Sequence, residues 1–88
     1  MTCGVYFIRN KETKECYIGA SIHIEARISV HFKGFGCVRL GDDMEKFGWD
    51  NFEYGIIEAC SQVRLSEREK YFIRKFSPKY NVHYTAKS

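Results

Sequence analysis

Residues 4–19 read GVYFIR, then NKETKE, then CYIG, and they predict the centre of the fold. Two runs rich in β-branched and aromatic residues flank a polar turn, which is typical of two paired antiparallel strands. Because side chains alternate along a strand, a suitable register sets Tyr6 and Tyr17 on one face of this hairpin. Gly4 and Gly19 let a backbone or a ligand come close. Taken alone, the segment favours an ordinary hairpin in which both tyrosines are packing residues.

The composition indicates one small domain spanning residues 1–88, with 44% hydrophobic and 16% aromatic residues to build a core. A net charge of +3 suits a polyanionic partner, but it predicts weak and salt-sensitive binding to nucleic acid. No apolar run approaches the roughly 18–20 residues that span a bilayer, and no signal peptide pattern opens the chain. We therefore expect a soluble protein of the cytoplasm.

The four cysteines lie singly beside apolar residues, at positions 3, 16, 37 and 60. No Cys-x-x-Cys motif or close Cys/His pair is present to bind zinc. Two disulfides are conceivable from the even number, but we expect buried free thiols.

Residues 22–33 allow two structures. Apolar residues fall at every second position from Ile22 to Phe32, which favours a strand. A helix is also supported, because Ile24, Ile28 and Phe32 stack four apart and Ser21 can cap the first turn. Periodicity alone slightly favours the strand.

The remainder of the chain predicts a loop at 34–36, a helix over 39–47, a third strand over 52–60 and a last helix ending near Phe76. Gly48 terminates the second helix, and the Ser77-Pro78 pair ends the last one. Residues 80–82 are expected to be extended, and the final residues are expected to fray.

Glu69 is the most informative residue of the last helix. It lies within an apolar stripe formed by Leu65, Phe72, Ile73 and Phe76, where a carboxylate is costly unless it is bonded, paired or on a metal. A helix that starts at Ser66 would use Glu69 in a capping box. A start at Ser61 would place Glu69 in mid-helix, and local sequence does not decide between the two. Glu67 is expected to be solvated.

Several short motifs, taken in order, make the chain resemble the GIY-YIG nuclease family. Gly4-Val5-Tyr6 and Tyr17-Ile18-Gly19 match the two triplets that give the family its name, with a variable middle residue in the first. The spacing to Arg27, His31, Glu69 and Asn81 is similar to that in the catalytic domains of phage intron-homing endonucleases. The resemblance extends from Gly4 to about Val82.

This resemblance implies an α/β domain of the α+β type, with a three-stranded antiparallel sheet and about three helices. It also implies that residues 22–33 are helical. In a helix Arg27 and His31 are neighbours on one face, whereas in a strand they would lie about 13 Å apart.

The activity implied by the resemblance is metal-dependent hydrolysis of a DNA phosphodiester, for which six catalytic residues carry over: Tyr6, Tyr17, Arg27, His31, Glu69 and Asn81. Glu69 would hold a single Mg²⁺ or Mn²⁺, and Arg27 would stabilise charge on the phosphate. His31 would bond the phosphate or assist a tyrosine.

For the general base we expect Tyr6, with Tyr17 supporting the phosphate, although either phenol could serve. A phenol is a poor base near neutral pH unless cations such as Arg27, a metal ion or Lys14 lower its pKa. Asn81 would position Glu69 or its neighbours.

Three basic residues are candidate DNA contacts: Lys14, Lys33 and Arg39. Homing members often carry a further histidine after the first helix, which this chain lacks, leaving Arg39 as the nearby substitute. They also have a separate DNA-recognition region, so we expect either a missing C-terminal domain or homo-oligomer formation. A non-catalytic nucleic-acid-binding module, a repair-type nuclease and a protein-interaction domain are the alternatives.

Overall fold

The fold centres on a three-stranded antiparallel sheet in the order β2-β1-β3, in a computed structural model that describes residues 2–34 and 36–81. The strands are β1 (Gly4–Asn10), β2 (Cys16–Ser21) and β3 (Phe52–Ala59). The helices are α1 (Ile24–Phe32), α2 (Val38–Phe47) and α3 (Leu65–Phe76). This confirms the predicted sheet and the three helices.

The strand β1 is central and carries apolar residues on both faces, so the sheet is covered by helices on both sides. Tyr6 and Ile8 pack in one core with residues of α1 and α2, including Ile24, Ile28, Leu40 and Met44. Val5 packs in a second core on the opposite face, with Ile18 and the α3 residues Phe72 and Ile73. The alternation of a strand therefore divides the molecule into two hydrophobic layers.

The register of the hairpin confirms that both tyrosines share a face. Tyr6 pairs with Gly19, and Ile8 pairs with Tyr17. Residues directly opposite one another in a sheet point to the same side, as do residues two apart along one strand. Tyr17 consequently lies diagonally beside Tyr6, with ring centroids 6.4 Å apart.

Residues 24–32 form a helix despite the strict apolar alternation. The helix buries Ile24, Ile28 and His31, which are spaced four and three apart and lie on one face. The prediction that Ser21 caps this helix is wrong, because Ser21 ends β2 and its hydroxyl accepts the His23 N–H. The first amide of α1 instead donates to the Thr2 carbonyl at 2.9 Å.

The other helices begin and end near the predicted residues. Gly48, with φ of 96°, follows α2, and Ser77 adopts a left-handed φ of 46° just before Pro78. The helix α3 begins at Leu65 after a 3₁₀ turn at Gln62–Arg64, so it starts neither at Ser61 nor with a capping box at Ser66, and Glu69 lies inside the helix. Its apolar stripe is narrower than expected, since Phe76 is exposed.

The C-terminal segment differs from the prediction. Lys79–Asn81 forms a 3₁₀ turn rather than an extended segment, and both Tyr80 and Asn81 are buried. Residues 82–88 and Phe35, on which the expected fraying and part of the 34–36 loop fall, lie outside the described residues. The four cysteines are free as expected, but each is half-buried rather than buried. Within the described residues, no helix has the length and apolar character to cross a membrane.

Candidate active site

Tyr6 and His31 form the buried base of the candidate site. The Tyr6 hydroxyl lies 2.9 Å from His31 Nε2, although the two residues are 25 positions apart in the chain. Tyr6 comes from the central strand and His31 from the last turn of α1, and each side chain is only 1% exposed. The half-buried ring of Tyr17 contacts the imidazole, with centroids 5.0 Å apart. The three rings thus form one cluster.

Arg27 lies above this cluster on the exposed surface of α1. Its guanidinium lowers the pKa of the Tyr6 phenol, and its charge lowers the pKa of His31. The helix places Arg27 one turn before His31, as the four-residue spacing requires. An exposed cation therefore acts on both buried rings of the cluster.

Two glycines allow the rings to pack this closely. A Cβ on Gly19 would lie 2.5 Å from the Tyr6 hydroxyl and 3.0 Å from a ring carbon of Tyr17. A Cβ on Gly36 would lie 2.8 Å from the His31 ring. The contacts with the Tyr6 hydroxyl and with the His31 ring are closer than Cβ atoms come to other heavy atoms in real structures. A side chain at Gly19 or at Gly36 would therefore displace the cluster.

The buried phenol and imidazole are both held in their neutral forms. Burial, and then the neighbouring Tyr17, raise the pKa of Tyr6 well above its ordinary 10.0, and Arg27 offsets only part of this. Burial, and then the Arg27 charge, lower the pKa of His31 to about 4. Arg27 lowers the pKa of Tyr6 as expected of a nearby cation, but burial outweighs it, so a Tyr6 phenolate is not populated near neutral pH in the resting site.

His31 Nδ1 is buried and has no hydrogen-bond partner among the described residues. A buried N–H without a partner is rarer and costlier than an unpaired acceptor. The tautomer with the proton on Nε2 is consequently favoured, in which Nε2–H donates to the Tyr6 oxygen.

Glu69 lies on α3, on the other side of the sheet from His31. Its charge acts on the pKa of Tyr6, although α3 packs on the other face of β1 and β2. The carboxyl is half-buried, and burial raises its pKa with only Lys70 opposing. Across residues 2–34 and 36–81 it makes no salt bridge, in contrast to Glu67, which is exposed and lies 3.7 Å from Arg64.

Asn81 holds the backbone of β2 beside the tyrosines. Its Oδ1 accepts the Ile18 N–H at 2.8 Å, and its Nδ2 donates to the Ile18 carbonyl at 3.0 Å. Both bonds lie on the outer edge of β2 and fix the residue between Tyr17 and Gly19. Asn81 was expected to position Glu69 or its neighbours, and these bonds give it a role in positioning the hairpin.

A buried network of polar side chains lies behind the site, and the sequence analysis did not predict it. Tyr80 donates to Asp43 Oδ2 at 2.7 Å, and its oxygen accepts from Asn10 Nδ2 at 3.4 Å. The Asn10 Oδ1 accepts the amides of Glu12 and Thr13 in the hairpin turn. The network ties the turn, α2 and the C-terminal 3₁₀ turn together. Asn10 opens a polar turn, where Asn side chains commonly bond nearby backbone amides, and this sequence feature could have indicated the network.

The three basic residues predicted to contact DNA lie in different surroundings. Lys14 is exposed in the hairpin turn, and strand geometry separates the start of that turn from Tyr6 by about 13 Å. Lys33 is exposed at the end of α1. Arg39 donates to the Lys79 carbonyl at 3.2 Å and lies over the Tyr80 ring, so it fastens α2 to the C-terminal turn.

Comparison with known families identifies this arrangement. The sequence model described as the GIY-YIG catalytic domain matches residues 2–81. The chain belongs to the GIY-YIG family. The two triplets that name the family, residues 4–6 and 17–19, thus supply Tyr6 and Tyr17, and the second also supplies Gly19, on which both rings pack.

Solved structures and a curated relative agree with this assignment. The domain is similar to the catalytic domain of the homing endonuclease I-TevI, with a TM-score of 0.76 and 26% identity over 85% of this chain and 88% of that one. A point mutant of that domain gives a TM-score of 0.78 at 26% identity, over 88% and 86% of the two chains. UvrABC system protein C of Corynebacterium diphtheriae is 27% identical over 81 residues, which are 92% of this chain but only 12% of the relative.

These matches establish a GIY-YIG nuclease domain with the α+β fold. Among residues 2–34 and 36–81, no three His, Cys, Asp or Glu side chains converge as a multidentate metal site. The charge of Glu69 raises the pKa of Tyr6.

Proposed function

We propose that this GIY-YIG domain is an endonuclease that hydrolyses DNA phosphodiester bonds with a divalent cation, Mg²⁺ or Mn²⁺, in the cytoplasm. The observation that carries the proposal is the buried 2.9 Å contact between Tyr6 and His31, with Arg27 and Glu69 both acting on the pKa of Tyr6. An exposed cation, a buried proton-transfer pair and an unpaired carboxylate are what phosphodiester hydrolysis requires.

The surroundings of Glu69 fit a bound cation. Burial raises the pKa of this half-buried carboxyl, Lys70 offsets only part of the effect, and Glu69 forms no salt bridge with a described residue. Mg²⁺ keeps most of its waters and takes one or two carboxylates together with substrate oxygens, so a single Glu suffices. When bound, the ion would supply Lewis-acid stabilisation of charge on the phosphoryl oxygens.

Arg27 is proposed to bind the scissile phosphate. It is exposed on the surface of α1, and its planar guanidinium can donate to two phosphate oxygens beside Tyr6, whose pKa it lowers. A phosphate at this position would offset the Arg27 charge, which is one of the two causes that lower the pKa of His31.

Tyr6 is proposed as the general base, with its own proton transferred to His31. Substrate binding weakens the effect of Arg27 on His31, so the imidazole becomes a better proton acceptor when phosphate is present. The phenol can then take a proton from the attacking water as its own proton passes across the 2.9 Å contact to Nε2. For this transfer His31 must adopt the tautomer with a free Nε2. Tyr17 is the more exposed phenol and is the alternative base.

The proposal is tested by incubating the protein with supercoiled plasmid and Mg²⁺ and following nicked and linear DNA on gels. We expect EDTA to stop cleavage, and Glu69→Ala to reduce its rate by at least 100-fold, as on the order of 10²–10³ is lost with one transition-state stabilising group. Glu67→Ala is the matched control. It removes an exposed carboxylate two positions away on the same helix and is expected to leave cleavage unchanged.

Different outcomes separate the competing functions. Equal loss in both glutamate variants would contradict the metal-ligand role of Glu69. Binding to plasmid without any Mg²⁺-dependent nicking would favour the non-catalytic binding module. The similarity to UvrABC system protein C supports a repair-type substrate as the second candidate, and preferential cleavage of branched or damaged DNA over intact duplex would select it.

We also propose that the domain obtains its DNA affinity from a further DNA-recognition domain or from homo-oligomers. Its net charge of +3 is too small to give strong binding alone. Lys14 and Lys33 are proposed to add phosphate contacts, since both are exposed. Charge reversal of either lysine should raise the Kd for plasmid and reduce the dependence of binding on salt.

A further inference from the structure

Cys3 and Cys60 lie directly opposite one another on neighbouring chain segments. The β1–β3 register pairs Gly4 with Ala59, so the next pair outward is Cys3 with Cys60. The Cys60 N–H donates to the Cys3 carbonyl at 3.0 Å, which continues the ladder to this pair. Residues paired in this way have Cα atoms about 5.5 Å apart, within the range that a disulfide spans.

Both side chains point to the same side of the sheet. Cys3 is two residues before Val5, and Cys60 is two residues after Glu58, which pairs with Val5. The α3 residue Arg68 makes two 2.8 Å bonds to Glu58, so this is the face on which α3 packs. Each of the two thiols remains partly accessible to solvent.

We propose that Cys3 and Cys60 form a reversible cross-strand disulfide, which makes this pair an oxidation site of the domain. Cβ atoms of directly opposite residues are about 4.5–5.5 Å apart, slightly wider than the 3.5–4.5 Å of a relaxed disulfide. The bond therefore requires a small closing movement of the strand ends. A bridge of this kind is easier to reduce than a structural disulfide and suits redox exchange.

The oxidation proceeds by exchange with glutathione disulfide. The Cys60 thiolate attacks the glutathione disulfide, forms a mixed disulfide and releases one glutathione thiolate. The Cys3 thiolate then attacks the Cys60 sulfur and expels the second glutathione. Two protein thiols are oxidised, and one glutathione disulfide is reduced to two glutathione molecules.

The position of the pair connects it to both sides of the candidate site. Thr2, next to Cys3, accepts the first amide of α1 and also bonds Glu25 through its N–H and hydroxyl at 2.8 and 2.7 Å. Cys60 begins the connection that leads to α3. A disulfide here would hold the start of the helix that carries Arg27 and the connection to the helix that carries Glu69.

The test is to incubate the folded protein with glutathione disulfide, then count free thiols and measure the intact mass. We expect half of the four thiols to remain, with the loss of two hydrogen atoms and full recovery on reduction. Peptide mapping should recover one bridge between Cys3 and Cys60. Amide exchange at Ile24 should be slower in the oxidised form.

Variants make the assignment specific and need no nuclease activity. Cys3→Ser and Cys60→Ser should each prevent bridge formation, while Cys16→Ser, the matched control, should still lose two of its thiols. Four thiols retained after incubation would overturn the proposal. A bridge that persists in Cys60→Ser, or glutathione adducts without an internal bridge, would do the same.

Discussion

Replacing Gly19 by alanine tests the packing that holds the tyrosine cluster together. The new Cβ would lie 2.5 Å from the Tyr6 hydroxyl oxygen and 2.6 Å from Tyr6 Cζ, where ordinary contacts are about 3.5–4.0 Å. Tyr6 must therefore move by about 1 Å, because the backbone of β2 is held by Asn81 on its other edge. This movement breaks the 2.9 Å contact with His31.

The energetic consequence combines two terms of similar size. Overpacking a well-packed site typically costs about 1–3 kcal/mol. Leaving a buried phenol or imidazole without its partner costs about 1–3 kcal/mol more. We expect Gly19→Ala to lower the free energy of unfolding by about 2–5 kcal/mol, since relaxation of the hairpin relieves part of the overlap.

The assay is urea unfolding followed by the fluorescence of Trp49, the single tryptophan of the chain. Gly41→Ala is the control, because its Cβ would meet its nearest neighbour, the Gly34 carbonyl, at 3.3 Å and it lies in α2 away from the tyrosines. We expect the control to change stability by less than about 1 kcal/mol.

A double-mutant cycle with Tyr6→Phe isolates the mechanism. Each single change disrupts the contact between Tyr6 and His31, so the double variant should be more stable than the sum of the two losses predicts. Stability of Gly19→Ala within about 0.5 kcal/mol of the wild type would refute the reasoning, as would strict additivity with Tyr6→Phe.

Three further predictions concern buried polar groups. Tyr80→Phe removes the 2.7 Å bond to Asp43 and should lower the free energy of unfolding by about 1–2 kcal/mol in urea titrations, whereas the same change at the exposed Tyr54 should have little effect. Because the pKa of His31 is about 4 in the fold and 6.5 is its ordinary value, the unfolded chain binds more protons between these values. The free energy of unfolding should fall by about 2–3 kcal/mol as the pH drops from 6.5 to about 4. The variant His31→Gln should flatten the dependence of the urea midpoint on pH. Asn81→Asp keeps the acceptor for the Ile18 N–H but turns a negative charge towards the Ile18 carbonyl. In the same titrations it should lower the free energy of unfolding by about 1–3 kcal/mol, at least as much as Asn81→Ala. Near-wild-type stability of Asn81→Asp would contradict this.

Features set by neighbours in sequence were predictable. Strand alternation predicted that a suitable register sets Tyr6 and Tyr17 on one face, and the observed register does so. The resemblance was needed to assign residues 22–33 to a helix, because periodicity there fits a strand as well. The spacing of Arg27 and His31 then followed from helical geometry.

Features set by contacts between distant segments were not predictable. The cap of α1 comes from Thr2 and not from the adjacent Ser21, and Asn81 bonds Ile18 across 63 positions. Local sequence contains no signal for either contact. The sequence suggested that cations would lower the pKa of Tyr6, and Arg27 does so, but the depth of burial of Tyr6, which only the packed fold determines, raises this pKa by more.

The placement of Glu69 on the opposite side of the sheet from His31 has a consequence for how this domain folds. Neither hydrophobic layer contains the whole candidate site, so loss of either α1 or α3 from the sheet separates its parts. Cleavage should therefore disappear at the lowest denaturant concentration that detaches either helix. A DNA-nicking assay across a denaturant series would then show whether the two layers unfold together. A difference between the denaturant concentration that abolishes cleavage and the one that abolishes the Trp49 fluorescence change would measure how independently the two layers open.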